Sequence, residues 1–351
     1  MIHVATIVGA RPQFVKAAAV SRAVATSDTV VETLIHTGQH FDPEMSTTFF
    51  RELEMPEPNY WLGVNGGTAS EMTGRLLVEL DHVLSEVDPH LVLTYGDTNS
   101  TLAGSLVAAQ RRIPQAHVEA GLRSFNRSMP EEVNRVTADH LSDLLFCPTK
   151  GAVENLSAEG IVSGVHHVGD VMYDATLYAG SKLDLPAELL SKFGVEAGRY
   201  AVATLHRAGN TDNHDQLGKL IDYLRAEAQA QPIVFPVHPR TRLAVQAAGL
   251  SLDGLVCCPP LGYLEMANLV KHSCRVYTDS GGLQKEAYFF RVPCVTLRDE
   301  TEWVETVQAG WNRLWCEPNY LPRREIADYG DGTASQKIVE ELTRFASSTA
   351  P

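Results

Sequence analysis

The chain has 351 residues, of which 44% are hydrophobic and 21% charged, and it carries a formal net charge of −14. Such a composition excludes extended disorder, and the acidic balance excludes non-specific binding to nucleic acid or to an anionic membrane. A small anionic ligand remains compatible, because helix N-termini and a few local cations can hold a diphosphate within an acidic protein. The length exceeds one hydrophobic core and implies two domains. The first residues, MIHVATIVGARPQFVK, read as strand, glycine turn and helix start rather than as a signal peptide. No apolar run reaches the roughly 20 residues of a membrane span, so a cytoplasmic protein is expected. Six cysteines without a CxxC or a metal spacing read as reduced, buried thiols, and neither a cofactor nor an obligatory metal is predicted.

In chain order, short apolar runs alternate with amphipathic helical patterns. Strands are predicted at 2–8, 30–36, 91–95, 116–119, 144–147 and 166–168, then at 200–205, 233–237, 255–258, 275–278 and 294–297. Helical patterns lie between them, as at 68–85, 98–110, 131–142, 213–228 and 283–290. This alternation implies parallel sheets with helices on both faces, an α/β fold of two doubly wound Rossmann-like domains. The predicted first domain is 1–170 and the second 171–333. The segment 334–351 is predicted to be a helix, with packing on either domain, including back on the first, left open.

Ligands of open parallel sheets bind beyond the carboxyl ends of the strands, so the residues following each strand matter most. After the first strand comes Gly9-Ala10-Arg11-Pro12-Gln13, with Lys16 one turn into a helix. The glycine permits a tight turn, the helix start offers backbone N–H groups, and Arg11 and Lys16 add charge for a phosphate. This is not a GxGxxG fingerprint, which removes the usual support for a nicotinamide cofactor. Three carboxylates then stand at or near strand exits: Asp97 in YGDTNST, Glu119 in HVEAGLRS and Glu131 in MPEEVNR. Glu131 and Glu132 also suit the dipole of a helix start. Together the three supply what proton transfer at carbon requires, acids and bases with separable protonation states.

In the second half, His206-Arg207 and His238-Pro239-Arg240 follow two successive strands and suggest an anion-lined edge. Thr278-Asp279-Ser280-Gly281-Gly282 then opens a helix whose small residues suit a diphosphate, with Glu286 placed to accept ribose hydroxyls.

Taken together, GARPQFVK, TGQH, YGDTNSTLAG, HVEAGLRS, MPEEVNR, the HR pair at 206, PVHPR, TDSGGLQKEA and LRDETEW closely resemble the non-hydrolysing UDP-N-acetylglucosamine 2-epimerase family. The resemblance runs through nearly the whole chain. It implies a GT-B-type arrangement with the active site in the inter-domain cleft, a UDP-sugar as the small-molecule partner, and a homodimer. By resemblance Asp97, Glu119, Glu131 and His206 are catalytic, and Arg11, Lys16, Arg207, His238, Ser280, Gly281, Gly282 and Glu286 bind UDP. The chemistry implied is loss of UDP from C1 with the C2 proton, giving a 2-acetamidoglucal, then re-addition with a proton delivered to the opposite face. Two faces of one carbon require at least two proton-transfer groups.

The chain departs from the family pattern at named places. Gly209 stands where many members have a glutamate, and Trp303 in TEWVE stands where an arginine is common. The loop between Glu119 and Glu131 is short, and TGQH, which neighbours an allosteric UDP-N-acetylglucosamine site in the family, continues as FDPEMS. TEWVE and MPEE also occur in relatives acting on modified substrates such as UDP-2,3-diacetamido-glucuronate. A hydrolysing epimerase, a GT-B glycosyltransferase and a nucleotide-sugar sensor are the remaining alternatives.

Overall fold

The computed structural model describes residues 1–39, 50–182 and 187–349, which build two parallel sheets. One unit comprises Met1–Ala175 with Ala327–Pro351, and the other Thr176–Ile326. The sheet of the first unit contains β1 Ile2–Val8, β2 Val30–His36, β3 Tyr60–Trp61, β4 Leu91–Tyr95, β5 Gln115–Val118, β6 Leu144–Cys147 and β7 Val165–His167. Its order is β3-β2-β1-β4-β5-β6-β7. The second unit has β8 Ala201–Thr204, β9 Ile233–Pro236, β10 Val256–Cys258, β11 Arg275–Thr278, β12 Cys294–Thr296 and β13 Asn312–Leu314, in the order β10-β9-β8-β11-β12-β13. Each sheet runs outward in one direction from its first strand and then reverses. The switch points are β1/β4 and β8/β11, where doubly wound folds open their ligand crevices.

Both faces of each sheet are covered, for a reason visible in the strands. Successive residues of a strand point to opposite faces. In β8, Ala201 and Ala203 pack with Leu217, Leu220 and Leu224 of the helix His214–Glu227. Val202, between them, joins Val234 and Val276 against Leu269 of the helix Tyr263–Lys271 and Leu283 and Ala287 of the helix Gly281–Phe289. Alternation therefore yields a continuous apolar run rather than a polar face. The first unit repeats this arrangement, with Ala5, Ile7, Ile35 and Val92 against Leu76 and Leu80 of the helix Ala69–Val87. Leu80 is fully buried, and truncating it to alanine would cost about 2–5 kcal/mol.

Predicted and observed strands agree closely, with two additions. β3 and β13 are edge strands of two and three residues, too short to show a period. The helix Ala334–Thr349 belongs to the first unit. Its start is tied down by Asp174, whose carboxylate accepts from Ser335 N at 2.7 Å, Ser335 Oγ at 2.6 Å and Ala334 N at 3.2 Å. Later in that helix, the hydroxyls of Thr343 and Thr29 meet at 2.8 Å. The thiols correct the expectation of uniform burial: Cys147, Cys258 and Cys294 are buried, whereas Cys257 and Cys316 are exposed. Cys257 lies on β10, an edge strand, exposed between half-buried Val256 and buried Cys258.

Candidate active site

In the first unit the loop after β1 is closed rather than open. Gln13 Oε1 accepts from Gly9 N at 2.8 Å and Ala10 N at 3.0 Å, while its Nε2 donates to Tyr95 O at 2.8 Å and Thr101 Oγ1 at 3.0 Å. One buried amide thus stitches the exits of β1 and β4 together across the switch point. Two N–H groups at this strand exit, those of Gly9 and Ala10, are consumed by this side chain. Gly9 itself has no room for a side chain, since a Cβ would strike the hydroxyls of Thr37 and Ser100.

The cations and carboxylates of the three neighbouring exits meet next to Gly96. Lys16 Nζ pairs with Glu119 Oε2, both side chains being nearly buried. A Cβ on Gly96 would lie 3.3 Å from each of those two atoms, and Gly96 takes φ +61°. Glycine is required there by conformation and by the close approach of the ion pair. Glu119 also sits at positive φ, +71°, a strained setting for a glutamate of about 1–3 kcal/mol that concentrates at functional sites. Asp97, one residue beyond Gly96, pairs with Arg135, and its carbonyl accepts from Asn134 Nδ2 at 2.9 Å. Burial works against the Arg135 cation, but the carboxylates of Asp97, Glu132 and Glu119 outweigh it and raise its pKa.

The two adjacent glutamates of the helix Pro130–Leu141 have separated fates. Glu131 is exposed. Glu132 is buried, and it accepts from Ser124 N at 2.9 Å, Ser124 Oγ at 2.9 Å, Phe125 N at 2.8 Å and Arg135 at 2.9 Å. Burial alone would raise its pKa, but the Ser124 and Phe125 donors and Arg135 hold it below the usual range. Glu132 therefore anchors the loop that precedes its helix, and Glu131 carries a carboxylate to the surface beside it.

Beneath Gly96 lies a buried polar network. His117 Nε2 is 2.7 Å from Gly96 O, and its Nδ1 is 2.7 Å from Asp139 Oδ1. Asp139 also accepts from Gly121 N at 3.0 Å and from Arg123 at 2.6 Å, and Arg123 makes a two-pronged pair with Glu159. This chain of partners fixes the backbone that carries Gly96 and Asp97.

In the second unit the switch point β8/β11 is organised by Asp279, a fully buried carboxylate. It accepts from Arg207 N at 2.8 Å, His206 N at 3.0 Å and Asn210 Nδ2 at 3.1 Å, and it faces His206 Nδ1 at 3.1 Å. Burial opposes the charged form, but the His206 imidazole and the backbone donors outweigh it and keep the carboxyl below its ordinary range. A carboxylate only accepts, so the Nδ1 that faces it carries a proton, and Nε2 is the ring nitrogen turned away from Asp279. Ser280 caps the helix Gly281–Phe289 through Leu283 N at 3.5 Å. A side chain on Gly281 would strike Glu302 Oε1, which is also held by Arg207 at 3.3 Å; Arg298 holds Glu302 Oε2 at 2.7 Å.

Of the predicted residues, Lys16, Asp97 and Glu119 gather around Gly96, and His206, Arg207, Ser280, Gly281 and Gly282 gather around Asp279. Arg11 opens the helix after β1. His238 is an exposed N-cap whose Nδ1 accepts from Arg240 N at 3.2 Å. Glu286 is buried within its helix. Gly209 has open space around it, with nothing within 4 Å of a built Cβ. His40 and residues 41–46, the continuation of TGQH, lie outside the described residues. Sequence reading missed the organising groups Gln13, Arg135, Asp139 and Asp279. Asp279 had a signal, a carboxylate between a strand and Ser-Gly-Gly, and so had Arg135, three residues after Glu132.

A sequence model of the family described as UDP-N-acetylglucosamine 2-epimerase matches residues 22–343. The chain is 46% identical to the UDP-2,3-diacetamido-2,3-dideoxy-D-glucuronate 2-epimerase of Pseudomonas aeruginosa, over 98% of this chain and 100% of that protein. It is likewise 46% identical to the UDP-N-acetylglucosamine 2-epimerase homolog of Methanococcus maripaludis, over 97% and 99% of the two chains. Among solved structures it resembles the Methanocaldococcus jannaschii UDP-GlcNAc 2-epimerase in complex with UDP-GlcNAc and UDP, with a TM-score of 0.86 and 37% identity, covering 98% of this chain and 100% of that one. With two doubly wound sheets, acids and cations at their switch points, and likeness along its length, this chain is an isomerase belonging to the UDP-N-acetylglucosamine 2-epimerase family.

Proposed function

We propose that this enzyme inverts C2 of a UDP-N-acetyl-hexosamine, converting UDP-GlcNAc to UDP-ManNAc by elimination and re-addition of UDP. The observation that carries this reading is the gathering of Lys16, Glu119, Asp97 and Arg135 beside Gly96. No carbonyl activates the C2 proton, so its removal must be coupled to departure of UDP from C1. In the forward half the C2–H bond breaks toward a carboxylate and the C1–O bond breaks toward UDP, leaving a 2-acetamidoglucal. In the return half a second group protonates C2 from the opposite face, and a phosphate oxygen of UDP attacks C1. Asp97, Glu119 and Glu131 are the proposed proton-transfer groups, with His206 assisting through Nε2. Arg11, Lys16, Arg207, His238, the Ser280–Gly281–Gly282 helix start and Glu286 are the proposed UDP ligands. Positive groups and helix dipoles stabilise the charge that grows on the leaving diphosphate.

The test is incubation with UDP-GlcNAc in deuterated water. Deuterium at C2 with a nucleotide-linked epimer supports the proposal. No exchange would leave a glycosyltransferase or a sensor, and free N-acetylmannosamine with UDP would indicate a hydrolysing enzyme.

A second substrate reading is favoured by the 46% identity to the Pseudomonas aeruginosa enzyme, whose substrate is UDP-2,3-diacetamido-2,3-dideoxy-D-glucuronate. The same chemistry at C2 applies, and a panel of UDP-N-acetyl sugars in the exchange assay separates the two. Among the described residues no helix is long and apolar enough to cross a membrane. A cytoplasmic homodimer completes the proposal, the dimer resting on the family resemblance and checked by analytical ultracentrifugation.

A further inference from the structure

Trp303 carries a donor with nothing to bind. Its side chain is 6% exposed, and the indole Nε1 is sealed from solvent without a hydrogen-bond partner among the described residues. An indole N–H can only donate, and buried donors are rarely left unmatched unless a ligand or ion completes them. The place it faces is specific. A side chain on Gly281, the first residue of the helix Gly281–Phe289, would begin 3.2 Å from Nε1. The same spot abuts Glu302 Oε1, so a carboxylate now stands at this helix start, neutralised by Arg298 and Arg207. An anion is what the N-terminus of a nine-residue helix attracts. Lys285 Nζ lies over the Trp303 ring, 3.9 Å from its centroid. A cation over the ring draws electron density from the indole and sharpens its N–H as a donor.

We propose that Trp303 reads the diphosphate: its indole N–H donates to a phosphate oxygen of the nucleoside diphosphate, which takes the place that Glu302 occupies at Gly281. The inference rests on the reading that this unit holds UDP. It makes Trp303 a ligand-binding residue, supplying by a neutral donor backed by Lys285 what a cation would supply directly.

Two measurements on the full chain test it. The first is calorimetric titration of wild type and Trp303→Phe with UDP and, separately, with uridine. Phenylalanine keeps an aromatic ring for Lys285 and removes the donor together with part of the indole's volume, and a loss caused by volume alone would fall on UDP and uridine alike. UDP affinity should fall about tenfold, as for loss of a hydrogen bond to a charged group, while uridine binding is unchanged. The second is the indole region of the 15N-tryptophan spectrum of wild type. Its four tryptophans give one signal each, assigned through phenylalanine substitutions of the other three. UDP should shift the Trp303 N–H strongly downfield, and uridine should not. The spectrum alone decides the matter should Trp303→Phe fail to fold. Equal UDP affinity in the two proteins, equal losses for UDP and uridine, or an unmoved Trp303 signal would each overturn the proposal. No UDP binding by wild type would instead bring down the nucleotide-holding role of this unit, and the proposal with it.

Discussion

His206 Nδ1 lies 3.1 Å from Asp279 Oδ1, and the same carboxylate accepts from the backbone N–H of both His206 and Arg207. The two side chains are 73 residues apart in sequence and are brought together because β8 and β11 are neighbours in the sheet. Asp279 thus sets the position of the imidazole and holds a proton on its Nδ1. Asp279→Asn should lower kcat by roughly 10²-fold, the lower range for loss of an acid–base group, with a smaller change in UDP affinity. Steady-state kinetics with calorimetry for UDP checks this, and equal losses in both would assign Asp279 a purely structural role.

Asp97→Asn and Glu119→Gln should each reduce C2 deuterium exchange by about 10²-fold or more while leaving UDP affinity within a few-fold. Both carboxylates already have cationic partners, Arg135 and Lys16, so each substitution also frees a cation beside Gly96. Exchange rates and UDP titration on the same preparations separate chemistry from binding.

The adjacent glutamates of the helix Pro130–Leu141 should part company. Glu132→Gln removes the charge that receives two backbone N–H groups, the Ser124 hydroxyl and Arg135, and should cost about 1–3 kcal/mol of stability. Glu131→Gln, at an exposed position, should leave urea unfolding unchanged and depress exchange at C2. The reverse pattern would move the proton-transfer role to Glu132.

Acid should weaken both units through particular carboxylates. Asp139 and Asp279 have folded pKa values below their ordinary range, because bonds from His117 and Arg123, and from His206 and backbone donors, outweigh burial. Their stabilisation is therefore complete above the unfolded value of about 3.9 and is lost as pH falls toward the lower folded values. Asp139→Asn leaves Arg123 and His117 facing a neutral amide in the interior, and should cost about 3–5 kcal/mol at pH 7. It should also flatten the loss of stability below pH 4, as read by urea unfolding at a series of pH values.

The amino-acid sequence by itself determined the elements and the class of fold. Short apolar runs bounded by polar exits mark β1, β2, β4, β6 and β11 to the residue, and the residues with chemistry stand where those runs end. Burial on both faces writes itself into each strand locally, which is why it can be read without a structure. Which strand lies beside which is decided elsewhere, by the packing of helices from distant parts of the chain, and no periodicity encodes it. Only the tertiary structure placed Lys16 on Glu119 across 103 residues and His206 on Asp279. It also showed that Gln13 uses up the N–H groups of Gly9 and Ala10, and that Glu132 rather than Glu131 is the anchored acid. Each of these is a competition among donors and acceptors for partners, and its outcome depends on who is near once the sheets have formed.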